Sequence, residues 1–186
     1  MVLTHLNCPL PLCFMSRRQF LKDEQLKILK TMSEATNRMD MNMFAKAVNL
    51  TPNQTIAQIQ ELTQEGFLHK VGHGYGLTAK GKNALKMSTQ VSEENAFHFY
   101  LGVDQPLGFS ARSLEEIYRL ISQVCSDAID FHLYRGDFER WLSDVLNDKE
   151  LAIEIAEFRT EGLKGDELRK ALLKAVDAKY GVGELL

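Results

Sequence analysis

No apolar run in the 186-residue chain approaches the ~20 consecutive residues a helix needs to cross a bilayer, so a helical membrane span is excluded. Cysteine is scarce: Cys8, Cys13 and Cys125 are odd in number and share no framework spacing, which excludes a disulfide scaffold and fits a reducing, cytoplasmic setting. No secretory leader is expected either, since MVLTHLNCPLPLCF has no positive n-region and no small-residue cleavage site, and Pro9 and Pro11 break any helix there. Residues 1–14 are expected to form a poorly structured extension, with Met15-Ser16-Arg17-Arg18 as a more natural start. His5, Cys8 and Cys13 have no fourth ligand at a recognisable zinc spacing, so no metal site is expected. Nucleotide chemistry lacks its loop: five residues separate Gly102 from Gly108 where four are needed, and Phe109 stands where the lysine must be. No Ser/His/Asp or Cys/His nucleophile arrangement is present, and Cys125 lies near the apolar stripe of Ile121 and Val124 as a small hydrophobe. Catalytic residues, cofactors and enzyme activity are therefore not expected.

What the chain does have is a composition that is 45% hydrophobic and 25% charged, enough for two small globular domains with their own cores. The net charge of −3 hides an asymmetry. Residues 1–88 hold 11 Lys+Arg against 6 Asp+Glu, a net of +5, whereas residues 89–186 hold 11 against 19, a net of −8. A basic domain gains from counterion release at a phosphate backbone and an acidic one is repelled, so the first half is suited to nucleic acid and the second is not.

The stretch LTPNQTIAQIQELTQEGFLHKVGHGYGLTAK, residues 50–80, carries the densest signal. Leu50, Ile56, Ile59 and Leu62 recur at helical intervals, Thr51-Pro52 supplies an N-cap and a first-turn proline, and Gly66 ends the helix. Thr51, Asn53, Gln54, Ala57, Gln58 and Glu61 then fall on the opposite, polar side, and Asn and Gln are the usual bidentate partners of adenine. Phe67–Val71 has strand character, Gly72–Gly76 is a glycine-rich turn, and Leu77-Thr78 returns before a helix over Ala79–Met87. Two helices precede this, Glu24–Ala35 with Leu26, Ile28, Leu29 and Met32, and Met41–Val48 with Met43, Phe44, Ala47 and Val48. The order of helix, helix, helix, hairpin and helix resembles winged helix-turn-helix transcriptional regulators over about Phe20–Ser88. That resemblance implies a domain over residues 15–88 that binds duplex DNA, with Lys70, His73, Tyr75 and Lys80 near the backbone or minor groove. It also implies a homodimer through the Glu24–Ala35 or Ala79–Met87 helix. The competing reading is a winged helix used for protein assembly without DNA affinity.

A polar linker is expected at residues 89–95, followed by an acidic α/β domain over 96–186. Ala96–Val103 reads as a buried strand, residues 102–108 as a loop, and Ser113-Leu114-Glu115-Glu116 as a capping box opening a helix through Ile117, Leu120, Ile121 and Val124. Ile129–Tyr134 reads as a second strand, which makes a βαβ unit with parallel strands. Three helices, Phe138–Leu146, Lys149–Thr160 and Glu167–Tyr180, are expected to cover this small sheet, capped by Asp137, Asp148 and Asp166 and anchored by Trp141. The fold class expected is thus α+β, an N-terminal winged helix plus a short two-stranded βαβ sheet under helices. His98 and His132 fall centrally on the two expected strands with Arg135 and Asp137 close behind, a grouping that could hold a metal or ligand if the strands are neighbours; the simpler reading puts both histidines on the polar face of a sheet. The runs SARSLEEIYRLI, FHLYRGDFERWLSDVLNDKELA and LKGDELRKALLKAVDAKY are similar to a domain family of unknown function found mostly in archaeal proteins, which implies an archaeal protein coupling that domain to a winged helix. The expected role is transcriptional regulation, with a small-molecule or protein effector at the C-terminal domain and no membrane partner.

Overall fold

The computed structural model describes residues 21–35 and 39–185, the side chains of 184 and 185 excepted. The expected extension over 1–14, with His5, Cys8 and Cys13, lies outside the described residues. The chain divides into two compact units, one made of residues 19–89 with 180–186, the other including 90–179.

In the first unit α1 (Asp23–Glu34) buries Ile28 and Leu29. α2 (Met41–Val48) starts on Asp40, whose carboxylate accepts from the Asn42 and Met43 N–H groups at 2.9 Å, and stops at Asn49 in the left-handed region. α3 (Pro52–Gln64) follows, then an antiparallel hairpin of β1 (Leu68–Val71) and β2 (Gly74–Leu77), then α4 (Ala79–Ser88). Thr78 joins hairpin to helix. Its N–H donates to the Phe67 carbonyl at 3.0 Å, and its hydroxyl donates to the Gly66 carbonyl at 2.6 Å while accepting from the Gly81 N–H at 3.0 Å. α4 thereby sits directly on the chain before β1, and only glycine fits at 81, where a Cβ would lie 2.2 Å from the Phe67 carbonyl oxygen. Residues 180–185 belong to this unit: the Tyr180 carbonyl accepts from the Asn83 amide at 3.3 Å, and the Lys86 ammonium lies over the Tyr180 ring at 5.4 Å.

Three expected core positions of this unit are corrected. Ile56 is 40% exposed and Thr55 is buried in its place, its hydroxyl satisfied by the Thr51 carbonyl at 2.9 Å. Both residues are compatible with Ile59 and Leu62 at helical spacing, so periodicity could not separate them and hydrophobicity selected the wrong one. Met43, at 62%, and Ala47 are likewise exposed, and Ala45 takes the inward position beside Phe44 and Val48.

In the second unit β3 (Phe97–Gly102) and β4 (Gln105–Ala111) form an antiparallel hairpin closed at Val103-Asp104, with Asp104 at φ 57. The expected parallel βαβ sheet is therefore not formed, for two physical reasons. β4 carries Pro106 and Gly108, which read as loop; the strand absorbs them through register shifts between His98 and Tyr100 and between Tyr100 and Gly102. Ile129–Tyr134 lies inside α6 (Ser126–Arg135), because a short apolar run does not distinguish strand from buried helix; burial of Ala128, Ile129, His132 and Leu133 follows the helical period, and Gly136 at φ 73 ends it. α5 (Leu114–Ile121) does start on its expected cap, the Ser113 hydroxyl accepting from the Glu116 N–H at 3.1 Å, but the Glu116 carboxylate reaches back to the Arg112 N–H at 2.7 Å, one residue beyond the cap.

After Gly136 come α7 (Asp137–Arg140), a π-helical turn over Trp141–Val145, α8 (Lys149–Thr160), α9 (Gly165–Tyr180) and, in the first unit, α10 (Val182–Leu185). Asp148 caps α8 as expected and also receives the Lys179 ammonium at 2.6 Å. The core is aromatic: Phe97 stacks on Phe138 at 5.1 Å between centroids and meets Trp141 edge-on at 5.8 Å, and the indole N–H donates to the Asn95 carbonyl at 2.7 Å. The expected linker is thereby tied into this unit, Val91 also donating its N–H to the Arg112 carbonyl at 2.7 Å. At the level of class, the protein is α+β, with two small two-stranded antiparallel sheets among the described residues. No described helix is long and apolar enough to cross a membrane.

Candidate functional site

Two surfaces are candidates for function, the outer side of α3 with the β1–β2 hairpin, and a cleft beside β3. On α3 the inward stripe is Thr55, Ile59 and Leu62, which leaves Asn53, Ile56, Ala57 and Gln60 exposed at helical spacing along the outside. No charged side chain occurs from Pro52 to Gln60. Thr51 and Gln54 are also exposed, but they are engaged with each other: the Gln54 side-chain oxygen accepts from the Thr51 N–H at 3.0 Å and from its hydroxyl at 2.8 Å, and the Gln54 N–H donates to the Thr51 hydroxyl at 3.3 Å. This is a capping box, and the Thr51-x-x-Gln54 spacing carried the signal for it. Gln58 is half-buried with its side-chain oxygen enclosed and unbonded. Of the four amide and methyl residues expected to face bases, Asn53 and Ala57 therefore stand fully outward, Gln54 is tied to its helix start, and Gln58 turns partly inward. Sequence reasoning missed Ile56 and Gln60. Glu61 is half-buried and paired with Lys22 at 2.9 Å, a contact that pins α3 to the start of α1.

The hairpin and the first turn of α4 carry the remaining expected residues. Lys70 stands opposite Tyr75 in the ladder, both exposed, and His73 occupies the turn beside Gly72, whose φ of 58 closes it. Lys80 is half-buried and spends its charge locally, its ammonium lying 4.7 Å from the centre of the Phe67 ring. From Gly66 to Ser92 the sequence has four lysines and no acidic residue, so hairpin and α4 present one sign of charge.

In the second unit a cleft of about 620 Å³ opens beside β3, lined among others by His98, Tyr100, Phe131, Arg135, Arg140 and Trp141. At its base the His132 ring is 2% exposed and bonded on both nitrogens. Nε2 accepts the Tyr100 N–H at 2.8 Å, so the proton sits on Nδ1 and is donated to the Asp137 carboxylate at 2.7 Å. Burial of the ring pushes its pKa below the ordinary histidine value, against the opposing pull of Asp137. Asp137 is an ionic hub instead of the expected cap, receiving Arg135 at 3.4 Å and the Arg140 guanidinium as well. His132 thus caps the outward edge of β3 and holds it to α6, with no lone pair left for a metal or a reacting proton. His98 also lines the cleft but is exposed on the strand, and no group of three His, Cys, Asp or Glu side chains among the described residues is placed to hold a metal ion.

The chain matches no protein-family model, no curated protein and no solved structure.

Proposed function

We propose that this chain is a DNA-binding transcriptional regulator, its first unit a winged helix-turn-helix reading duplex DNA and its second unit the receiver of a small-molecule or protein effector. The observation that carries the reading is the outer side of α3. A helix that offers amides and methyl groups without charge is poorly explained as a solvated surface, and it adjoins a hairpin and helix with four lysines and no acidic residue. Base edges want such amides and methyls, and phosphates want such lysines. Homodimerisation is part of the proposal, since two half-sites double the contact, and α1 or α4 would supply the interface. The cleft beside Trp141 is the place for an effector, where aromatic walls meet Arg135 and Arg140.

A second reading, assembly through the first unit without DNA, draws on the exposure of Met39, Met41 and Met43 at the start of α2. A gel-shift titration over a range of salt concentrations decides between them. DNA binding is expected to weaken steeply with salt, and Lys70→Ala to lower the log–log slope by about 0.9 on every sequence. Absence of binding to any duplex at low salt would leave the assembly reading.

A further inference from the structure

We infer that α3 is built to read A·T base pairs, so that the ligand of this surface is duplex DNA with a run of A·T pairs at its core; the inference rests on the DNA-binding reading above. In the major groove, guanine is taken by Arg or Lys, cytosine by Asp or Glu, adenine by the paired donor and acceptor of Asn or Gln, and the thymine methyl by apolar side chains. The exposed stripe of α3 holds Asn53, Ile56, Ala57 and Gln60, which is the adenine and thymine set with none of the guanine or cytosine set. The nearest carboxylate on the helix, Glu61, is half-buried and occupied by Lys22.

The geometry also reduces the readers to two amides. Gln54 has lost its acceptor to Thr51 and Gln58 has its oxygen enclosed, so neither offers the full donor–acceptor pair. Asn53 and Gln60 remain. They are seven positions apart, about 10 Å along the helix axis, and that matches about three base-pair steps of ~3.4 Å. Ile56 lies between them, 40% exposed in the middle of a polar stripe, where a thymine methyl gives it an apolar partner that water does not. The hairpin agrees with this choice: Lys70 and His73 are side chains of the kind drawn into the narrow, strongly negative minor groove of A-tracts.

The test is a selection by the full chain from a random duplex library at low salt, followed by anisotropy titrations on the enriched duplex. The expected core is at least four consecutive A·T pairs. Replacing their thymines with uracil, which removes only the methyl, should weaken binding by about tenfold in the wild type and by much less in Ile56→Ser. Replacing their adenines with 7-deaza-adenine should weaken the wild type similarly and Asn53→Ala or Gln60→Ala less. All three residues are exposed, and circular dichroism of each variant checks that it folds. An enriched core of G·C pairs, equal binding to all duplexes, or indifference to both base analogues overturns A·T reading while leaving DNA binding intact. Failure to bind any duplex at low salt overturns the DNA-binding reading and this inference with it.

Discussion

His132 has both ring nitrogens committed, and its titration follows from that. Burial is the dominant effect on its pKa and lowers it, with Asp137 opposing and Arg135 assisting. The folded-state value lies below that of the unfolded chain, so the stability contributed by the neutral ring is complete above about pH 6.5 and drains away as pH falls toward the folded value. Unfolding in urea, followed by the fluorescence of Trp141, the one tryptophan of the chain, should show stability declining as pH falls below about 6.5. In His132→Gln, whose amide oxygen can still accept the Tyr100 N–H, that decline should shrink; an identical decline in both proteins would remove His132 as its source. His132→Ala leaves a buried N–H unpaired and is expected to cost about 2–3 kcal/mol. The lysines of the first unit differ in the same concrete way. Lys80→Ala loses its seat on Phe67 and should lower stability by about 0.5–1 kcal/mol, whereas Lys70→Ala should leave the denaturation midpoint nearly unchanged.

At the scale of elements, the contact between α4 and the chain before β1 is the most restrictive. Gly81→Ala would ordinarily favour a helix by about 1 kcal/mol, but here the added methyl meets the Phe67 carbonyl at 2.2 Å, backbone that cannot swing aside. Denaturant unfolding should show a net loss of about 1–3 kcal/mol; a gain would mean that α4 lifts off without penalty. Helix starts were legible from their caps at Thr51, Ser113 and Asp148, because capping is local chemistry. Other features depend on tertiary surroundings. That Thr55 is buried and Ile56 is not depends on a backbone bond to Thr51 that compensates the hydroxyl, and that β4 tolerates Pro106 depends on its having one ladder partner; the turn opened by Trp141, whose indole N–H reaches the distant Asn95 carbonyl, is π-helical. The outer surface of α3 was legible in kind but displaced around the helix, Gln60 and Ile56 standing where Gln54 and Gln58 were expected.

For the whole molecule, charge and covalent order diverge. The basic and acidic halves meet near Ser88 in sequence, and the two units part at the same place, between Thr89 and Gln90. Yet residues 180–186 return to the first unit, which no charge count or hydrophobic period foretold, because which surface covers a terminal tyrosine is decided by shape. Tyr180 and Val182 are both buried. Shortening the chain after Lys179 should therefore destabilise the first unit by on the order of 2–4 kcal/mol, read as faster amide hydrogen exchange in α4; unchanged exchange there would show that residues 21–89 are self-sufficient.

That discontinuity has a consequence for synthesis. The polypeptide emerges N-terminus first at about 5–20 residues per second, and residues 90–179 are all made between Thr89 and Tyr180. For roughly 5–18 s, by the same rate, the nascent first unit waits on the ribosome without the aromatic cover of Tyr180. Chains cut short by premature termination in that interval would lack Tyr180 and Val182, and their first unit is expected to be cleaved by proteases faster than that of the full chain.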